Sequence, residues 1–315
     1  MKMKIRRGFS LAEILISVAI LGVVMGAVLT LFYSVFESYQ FHQDITEAKQ
    51  NGQNALAAIQ PYISAAALGI PNNATAFSNA FSQHDGIKKK AAALLPGESD
   101  NDKRFKTTVQ IASAGKAVTP PSAEDDYSGN ELWLVYAVPS GTGVEKEFEV
   151  SPGGSEVELK DLLNDTPFSN HLVINSASVK SWVAFPGSSY PMYVSEMAAG
   201  NARKITLAAH NPQKISAFDE MHYVRAVKIK IEDNTMKVAH LLDDPDLAGS
   251  PTVEGISDAL FEFGPDRVLK VTFLARGSTK HNKEYMTDIP GWEGPMPDDM
   301  YYRYATVSRS WRIRN

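Results

Sequence analysis

No cysteine occurs among the 315 residues of the sequence. The fold therefore has neither disulfide bonds nor thiolate ligands for a metal, and packing must stabilise it without them. A lipid anchor attached to a cysteine is excluded for the same reason. The length leaves room for one large domain or two small ones.

An excess of positive charge is also lacking, because 36 acidic residues outnumber 31 basic ones and the net charge is −5. Four of the cations precede Gly8, so a chain that starts after Gly8 has a net charge of −9. Sequence-independent binding to nucleic acid needs many contacts between basic side chains and phosphates. We therefore expect no nucleic-acid partner.

Charged residues and proline are both missing from Ile14–Phe36, a run of 23 residues. A helix that crosses a membrane needs about 20 apolar residues, so this run is long enough. The cations before the run place the N-terminus in the cytoplasm by the positive-inside rule; they are Lys2, Lys4, Arg6 and Arg7. A cleaved secretory signal fits poorly, because its apolar region is only about 7–15 residues long and ends in a small-residue site.

One carboxylate, that of Glu13, lies inside the apolar stretch that begins at Phe9. An ionised carboxylate at membrane depth costs about 2.5–3.5 kcal/mol, so we expect Glu13 to have a partner. The alternative is that Glu13 marks the cytoplasmic interface of an ordinary signal anchor, where a carboxylate near the lipid headgroups costs little.

The residues around Glu13 resemble the prepilin leader of type IV pilins and type II secretion pseudopilins. They comprise a short basic leader that ends at Gly8, then Phe9, then Glu13, which is the fifth residue when counting starts at Phe9. The resemblance implies that a prepilin peptidase and methyltransferase cuts between Gly8 and Phe9 and methylates the amine of Phe9. It also implies that this amine, which stays cationic after methylation, pairs with Glu13 of a neighbouring subunit. The implied partners are this enzyme, other minor and major pilins, the inner membrane and a tip adhesin.

Two glycines in the apolar run form a G-x-x-x-G pattern, Gly22 and Gly26. Such a pair lets the backbone of a neighbouring helix approach closely in lipid. The alternative is that the glycines only make the helix easier to bend or unwind during assembly.

Beyond the apolar run, apolar residues recur at three- to four-residue steps over 37–68 and predict an amphipathic continuation of the helix. Asp44 and Glu47 fall on its predicted polar side. Pro61 lacks a backbone donor and predicts a kink or a fresh start near Gln60. Gly69 and the proline that follows it two residues later predict the end of the helix.

The predicted layout is a leader at 1–8, a transmembrane helix at 9–36, its continuation at 37–68, a loop-rich insertion at 69–130 and a β-rich head at 131–315. The resemblance implies an α+β pilin fold, in which the long N-terminal helix packs on antiparallel sheet. Strand patterns occur in the head at 132–138, 156–159, 171–174, 181–185, 204–209, 223–231, 236–241, 268–275 and 304–313.

Two of these strands carry more specific predictions. Alternation over 223–231 followed by a turn at 232–235 predicts a β-hairpin. In the last strand, Arg309 shares a side with apolar residues. It is either a subunit contact or, as is commoner, an arginine whose stem packs on apolar neighbours and whose charge pairs with a carboxylate.

No catalytic constellation is found in the sequence. The seven histidines are scattered, with no H-E-x-x-H and no pair at ligand spacing. Ser113–Lys116 lacks the glycine and the hydroxyl that a phosphate-binding loop requires. The acidic turns at Gly97–Asp102 and Asp243–Asp246 fit solvated turns better than calcium sites. We therefore expect no cofactor, no metal and no enzymatic activity.

The C-terminal residues carry a second resemblance. Residues 253–264, 267–276 and the closing Arg312–Asn315 look like the tail of PilW-type minor pilins, which are close in build to the J-type minor pseudopilins of type II secretion. This resemblance implies a minor pilin that helps to initiate, prime or cap a type IV pilus. The alternatives are a J-type pseudopilin, and a tip adhesion subunit that binds through the insertion or through Trp292.

Overall fold

The computed structural model describes residues 10–82, 107–112, 127–161, 182–188, 190–197, 203–209, 211–240, 249–264, 266–282, 284 and 288–314. Within these ranges the chain forms two helices, α1 (Leu11–Ala65) and α2 (Ala74–Ser82). The first strands are β1 (Val109–Ala112), β2 (Tyr127–Gly129), β3 (Glu131–Gly143), β4 (Phe148–Val150), β5 (Ser155–Glu158), β6 (Trp182–Ala184) and β7 (Met192–Met197). They are followed by β8 (Lys204–Ala208), β9 (Gln213–Ile215), β10 (Glu220–Glu232), β11 (Thr235–His240), β12 (Ser250–Glu254), β13 (Ile256–Phe263), β14 (Val268–Arg276) and β15 (Tyr304–Arg312).

Helix α1 is one element with two unlike halves. Every residue from Ser10 to Tyr39 is exposed. In the second half a stripe is buried, with the three- to four-residue spacing of an amphipathic helix; it consists of Asp44, Ala48, Gly52, Ala55, Leu56, Ile59 and Ile63. The prediction that Asp44 lies on the polar side is wrong, because Asp44 continues the buried stripe one turn before Ala48.

Helix α1 runs through Pro61 without a break, so the fresh start predicted near Gln60 is not observed. Because proline has no N–H, the carbonyl of Ala57 receives no hydrogen bond from residue 61. Both Pro61 and Ala57 are exposed. Water can bond to that carbonyl instead, which makes a proline tolerable close to a helix end. The helix stops where Ala66 is extended and Ala67 has a φ of 59°.

The larger sheet is built around β10. One side of β10 pairs with β3 along most of its length. The other side pairs with β11 near the end of β10 and with β6 near its start, so the sheet forks. Its main path is β1-β3-β10-β6-β7-β8-β5, with β12 joined to β11. A second sheet has the order β15-β14-β13-β2, and β4 and β9 form a separate ribbon.

Helix α1 and both sheets share one hydrophobic core. Ile59 of the helix belongs to the same cluster as Leu134 and Val227 of the larger sheet and as Phe261 and Phe273 of the smaller one. The opposite face of the larger sheet is covered in part by α2 through aromatic side chains. This arrangement of a long helix on antiparallel sheet confirms the predicted α+β pilin-like architecture.

The predicted hairpin is confirmed as β10 and β11. Glu232 pairs with Thr235 across the turn, and Asp233 and Asn234 between them have φ angles of 54° and 56°. Two positive φ angles define a type I′ turn, whose twist matches that of the flanking strands. The predicted strand at 171–174 lies outside the described residues. Helix α2 and strands β1 and β2 come from the stretch predicted only as loop-rich.

Gly52 lies where helix α1 packs closely on the smaller sheet. A Cβ at this position would lie 2.6 Å from Cγ2 and 3.0 Å from Cβ of Val307 on β15, and 3.6 Å from Cβ of Ala275 on β14. Val307 is β-branched and sits on a paired strand, so it has little freedom to move aside. The glycine therefore lets the helix reach its packing distance.

We predict that Gly52→Leu lowers the free energy of unfolding by about 2–3 kcal/mol, because overpacking forces the helix away from the sheet. The matched control is Gly22→Leu, since nothing lies within 4 Å of a Cβ at Gly22. Thermal unfolding of the full chain in detergent measures both variants. Equal unfolding temperatures for the two would contradict the close approach at Gly52.

Candidate functional site

Ser10 caps the N-terminus of helix α1. Its backbone is extended (φ −71°, ψ 149°), and its hydroxyl accepts a hydrogen bond from the N–H of Glu13 at 3.3 Å. The carboxylate of Glu13 accepts a hydrogen bond from the N–H of Ser10 at 2.9 Å. These two bonds form a capping box, which satisfies two backbone donors that the first turn of a helix cannot bond internally.

Glu13 therefore has a partner within its own chain. The charge also lies at the helix N-terminus, where the backbone dipoles favour an anion. This partner was not predicted, although a serine three residues before a glutamate is the known pattern of a capping box. The predicted cleavage and methylation residues, Gly8 and Phe9, lie outside the described residues. Cleavage, methylation and the pairing of Phe9 with Glu13 stay predictions.

The apolar side chains that follow Glu13 have no cover from the described part of the chain. The exposed fraction is 66% for Leu15 and for Phe32 and 72% for Tyr33. Gly22 and Gly26 have no atom within 4 Å of a Cβ built on them, so their side of the helix is open. Their contact with a neighbouring helix stays a prediction.

Asp44 joins the buried half of helix α1 to the segment that follows β14. Only 4% of its side chain is exposed, and its Oδ2 lies 2.5 Å from Nε2 of His281, whose side chain is 14% exposed. One turn further along the helix, the carboxylate of Glu47 accepts hydrogen bonds from the hydroxyl of Ser278 at 2.9 Å and from its N–H at 3.2 Å. Together these bonds fix the point where the exposed helix enters the head.

Arg309 contacts the other end of the buried helix stripe. Its Nη1 donates a hydrogen bond to Oε1 of Gln60 at 2.9 Å, and its guanidinium lies 5.2 Å from the ring centre of Trp311. Arg309 is exposed, and the partner is an amide and not the predicted carboxylate. Of the two predicted roles, this contact within the chain fits the structural one.

An ion pair on the surface links the segment after β14 to the segment before β15. Nζ of Lys280 lies 2.7 Å from Oδ2 of Asp299. The hydrogen bond raises the pKa of Lys280 above its ordinary value and lowers the pKa of Asp299. Both side chains are substantially exposed, so this pair adds little stability by itself.

The histidines that the structure describes each contact neighbouring groups of the fold. His240 lies between the hydroxyls of Tyr62 and Tyr136, each 3.5 Å from one ring nitrogen. His222 is buried, and desolvation lowers its pKa. Among the described residues, no group of three or more His, Asp or Glu side chains could hold a metal ion. Both acidic turns, Gly97–Asp102 and Asp243–Asp246, lie outside those residues.

Trp292 does not offer its side chain to a ligand. It is only 8% exposed, it packs with Leu274, Ile289 and Tyr304, and its Nε1 donates a hydrogen bond to the carbonyl of Pro295 at 2.9 Å. The proline-rich segment around it therefore folds over the smaller sheet. The structure gives no support to binding through Trp292.

Comparison with known proteins gives one match. Residues 3–29 match a family model described as the prokaryotic N-terminal methylation motif, which is under a tenth of the chain. No curated protein and no solved structure matches the chain. Helix α1 is long and apolar enough to cross a membrane by length and composition. The motif and this helix together indicate a membrane anchor at the N-terminus.

We predict that Asp44→Ala lowers the free energy of unfolding by about 1.5–3 kcal/mol, because a buried charged hydrogen bond is lost. His281→Ala in the Asp44→Ala background should cost less than His281→Ala alone, since the two side chains share one interaction. Glu37→Ala, an exposed carboxylate on the same helix, is the control and should change stability little. Additive effects of the two substitutions in thermal unfolding would refute the pairing.

Proposed function

We propose that this chain, a member of the type IV pilin and pseudopilin family by its N-terminal motif, is a minor pilin that helps to initiate, prime or cap a pilus. The observation that carries the proposal is the division of helix α1. An apolar half with a single carboxylate near its start projects from a head that buries only the other half. Such a surface suits a subunit that is stored in lipid and then packed among other helices.

Processing is the first step of the proposed mechanism. The prepilin peptidase cuts between Gly8 and Phe9 and methylates Phe9, which leaves a cationic amine one residue before Ser10. In the filament Glu13 of a neighbouring subunit pairs with that amine. Only Oε2 of the carboxylate bonds to the N–H of Ser10, so the second oxygen can accept from the amine while the helix cap within the subunit is kept.

Storage in the membrane is the second step. The apolar half of α1 spans the inner membrane with the cationic leader in the cytoplasm, and the head lies in the periplasm until the subunit enters the filament. Helix packing in lipid depends on close backbone approach, and the open surface at Gly22 and Gly26 supports such packing. Other pilins are the partners in this step.

The role of a minor pilin is supported by the size of the head, which extends far beyond the strands that cover the helix. The strands β4 to β9 form a cluster of their own with the start of β10, and helix α1 contributes no side chain to it. The resemblance of residues 253–264 and of Arg312–Asn315 to PilW-type minor pilins agrees with that role. A J-type minor pseudopilin would share the same helix chemistry, and the phenotype of a deletion separates the two.

We predict that Glu13→Gln lowers incorporation into filaments at least tenfold while processing continues, because glutamine can keep the capping bond but carries no charge to pair with Phe9. Ser10→Ala is the matched control, since it removes the hydroxyl of the capping box and keeps the charge of Glu13. Gly8→Leu should accumulate as unprocessed precursor, because the bulky side chain obstructs the peptidase. Mass spectrometry of the N-terminus and immunoblots of sheared filaments measure the outcomes.

A mature chain that begins at Met1 or beyond Phe36 would rule out the proposed processing. Normal filament incorporation of Glu13→Gln would rule out the proposed charge pairing and leave the processing intact.

We predict that deletion of the gene lowers the number of pili per cell, and that the full chain restores it whereas Glu13→Gln does not. Electron microscopy of pili and an assay of secreted proteins on the same strains provide the two readouts. Lost secretion with normal pili would identify a pseudopilin instead. Normal pilus number with lost adhesion would identify an adhesion subunit.

A further inference from the structure

Phe218 occupies a backbone position that an aromatic residue rarely takes. It is the third residue of the four-residue turn Ser216–Asp219, which is closed by a hydrogen bond from the N–H of Asp219 to the carbonyl of Ser216 at 3.3 Å. Its φ is 65°. The third position of a turn with this geometry is normally filled by glycine or asparagine, because other side chains are strained there.

Within the described part of the chain, burial of the Phe218 side chain does not offset its backbone strain. The side chain of Phe218 is 84% exposed, more than Met296 at 43% and Tyr301 at 36%, which are the other exposed large apolar residues described outside helix α1. A bulky apolar side chain that is both strained and exposed lowers the stability of the free subunit. Local rules of this kind are broken mainly at functional sites.

The backbone holds Phe218 rigidly. Its N–H donates to the carbonyl of Val144 at 2.8 Å, and the N–H of Val144 donates to the carbonyl of Asp219 at 3.0 Å. The carboxylate of Asp219 also accepts a hydrogen bond from the N–H of Gly187 at 2.9 Å. A backbone that is fixed before binding loses little conformational entropy on binding, which favours affinity.

Strand pairing places Phe218 beyond the C-terminal end of α1, away from the apolar half of the helix. The last turn of the helix meets the larger sheet where Ala66 bridges to Tyr136, which pairs with Arg225 of β10. From Arg225 the chain runs back away from the helix end to Phe218, a distance of roughly 20 Å along an extended strand. The opposite end of β10 turns at Asn234, beside Asn51 of the helix.

The surface around Phe218 is acidic. It carries the exposed ammonium groups of Lys146, Lys160 and Lys214 and a larger number of exposed carboxylates, those of Glu145, Glu147, Glu149 and Glu220. Nζ of Lys214 lies 2.7 Å from Oε1 of Glu147, so one of these cations is already neutralised. A symmetric contact between two copies would bring these carboxylates together, which disfavours self-association through this surface.

We propose that Phe218 and the carboxylates around it form a docking surface for a different protein subunit, one that presents an apolar pocket edged by lysine or arginine. The pocket accepts the phenyl ring, and the basic edge faces Glu145, Glu147 and Glu220. The inference rests on the proposed function in one respect: the partner is a subunit that precedes this chain in the filament, toward the end away from the membrane.

The test places the photoreactive amino acid p-benzoylphenylalanine at position 218 of the full chain in cells that assemble pili. The expected result is one cross-linked pilus protein, attached through residues of an apolar pocket that has basic residues at its edge. A cross-link to a second copy of this chain, to lipid or to no protein overturns the proposal. Glu145→Lys with Glu147→Lys should lower the yield of the cross-linked product at least tenfold.

Two variants separate binding from folding. Phe218→Gly should lower co-purification of the cross-linked partner at least tenfold and raise the unfolding temperature by about 2–4 °C, because glycine accepts the positive φ without strain. Phe218→Tyr keeps an aromatic anchor and should keep the partner. Met296→Gly, at an exposed apolar residue elsewhere on the head, is the control and should change neither binding nor processing.

Failure of this inference is distinguishable from failure of the proposed function. If Phe218→Gly is processed after Gly8, enters pili and retains the partner, the docking surface is refuted while the minor pilin role stands. If the chain is never processed after Gly8, the role itself is refuted.

Discussion

The uncovered apolar surface of helix α1 is the constraint on which the rest of the structure depends. At about 1.5 Å per residue the helix is roughly 80 Å long, and the head covers slightly less than half of it, from Gln40 onward. Water is a poor solvent for the first half, because transfer of each CH₂ group of its side chains out of water is favourable by about 0.8 kcal/mol. The subunit therefore needs lipid or other helices around this half at every stage, and the head needs to pack only on the remainder.

Glu13 shows how one carboxylate can be tolerated on that surface. In the free chain it is part of the helix cap, so its charge is offset by a backbone N–H and by the helix dipole. Under the proposed processing, the amine of Phe9 in a neighbouring subunit is a second partner for the same carboxylate, whose two oxygens can accept from both donors. The proposed ion pair would add a partner in the next subunit to the one that Glu13 already has in its own.

Local features of the fold could be predicted from the sequence, and contacts between distant residues could not. Alternation and a two-residue turn were sufficient for the β10–β11 hairpin, since both signals lie within one short stretch. The burial of Asp44 depends on His281, which is 237 residues away, and the need for Gly52 depends on Val307. Trp292 looked like an exposed binding residue because prolines and glycines surround it, yet a local carbonyl satisfies its indole and the ring fills a core.

The contacts between helix α1 and the head also fix the direction in which the free half faces. Asp44, Gly52 and Gln60 touch three different parts of the chain, the segment after β14, the middle of β15 and its later residues. A slip of the helix by one residue would rotate it by about 100° and remove all three from their partners at once. Glu13 and the glycine pair Gly22 and Gly26 therefore keep a constant orientation relative to Phe218. A subunit built in this way can bring its neighbours at the two ends into one fixed register.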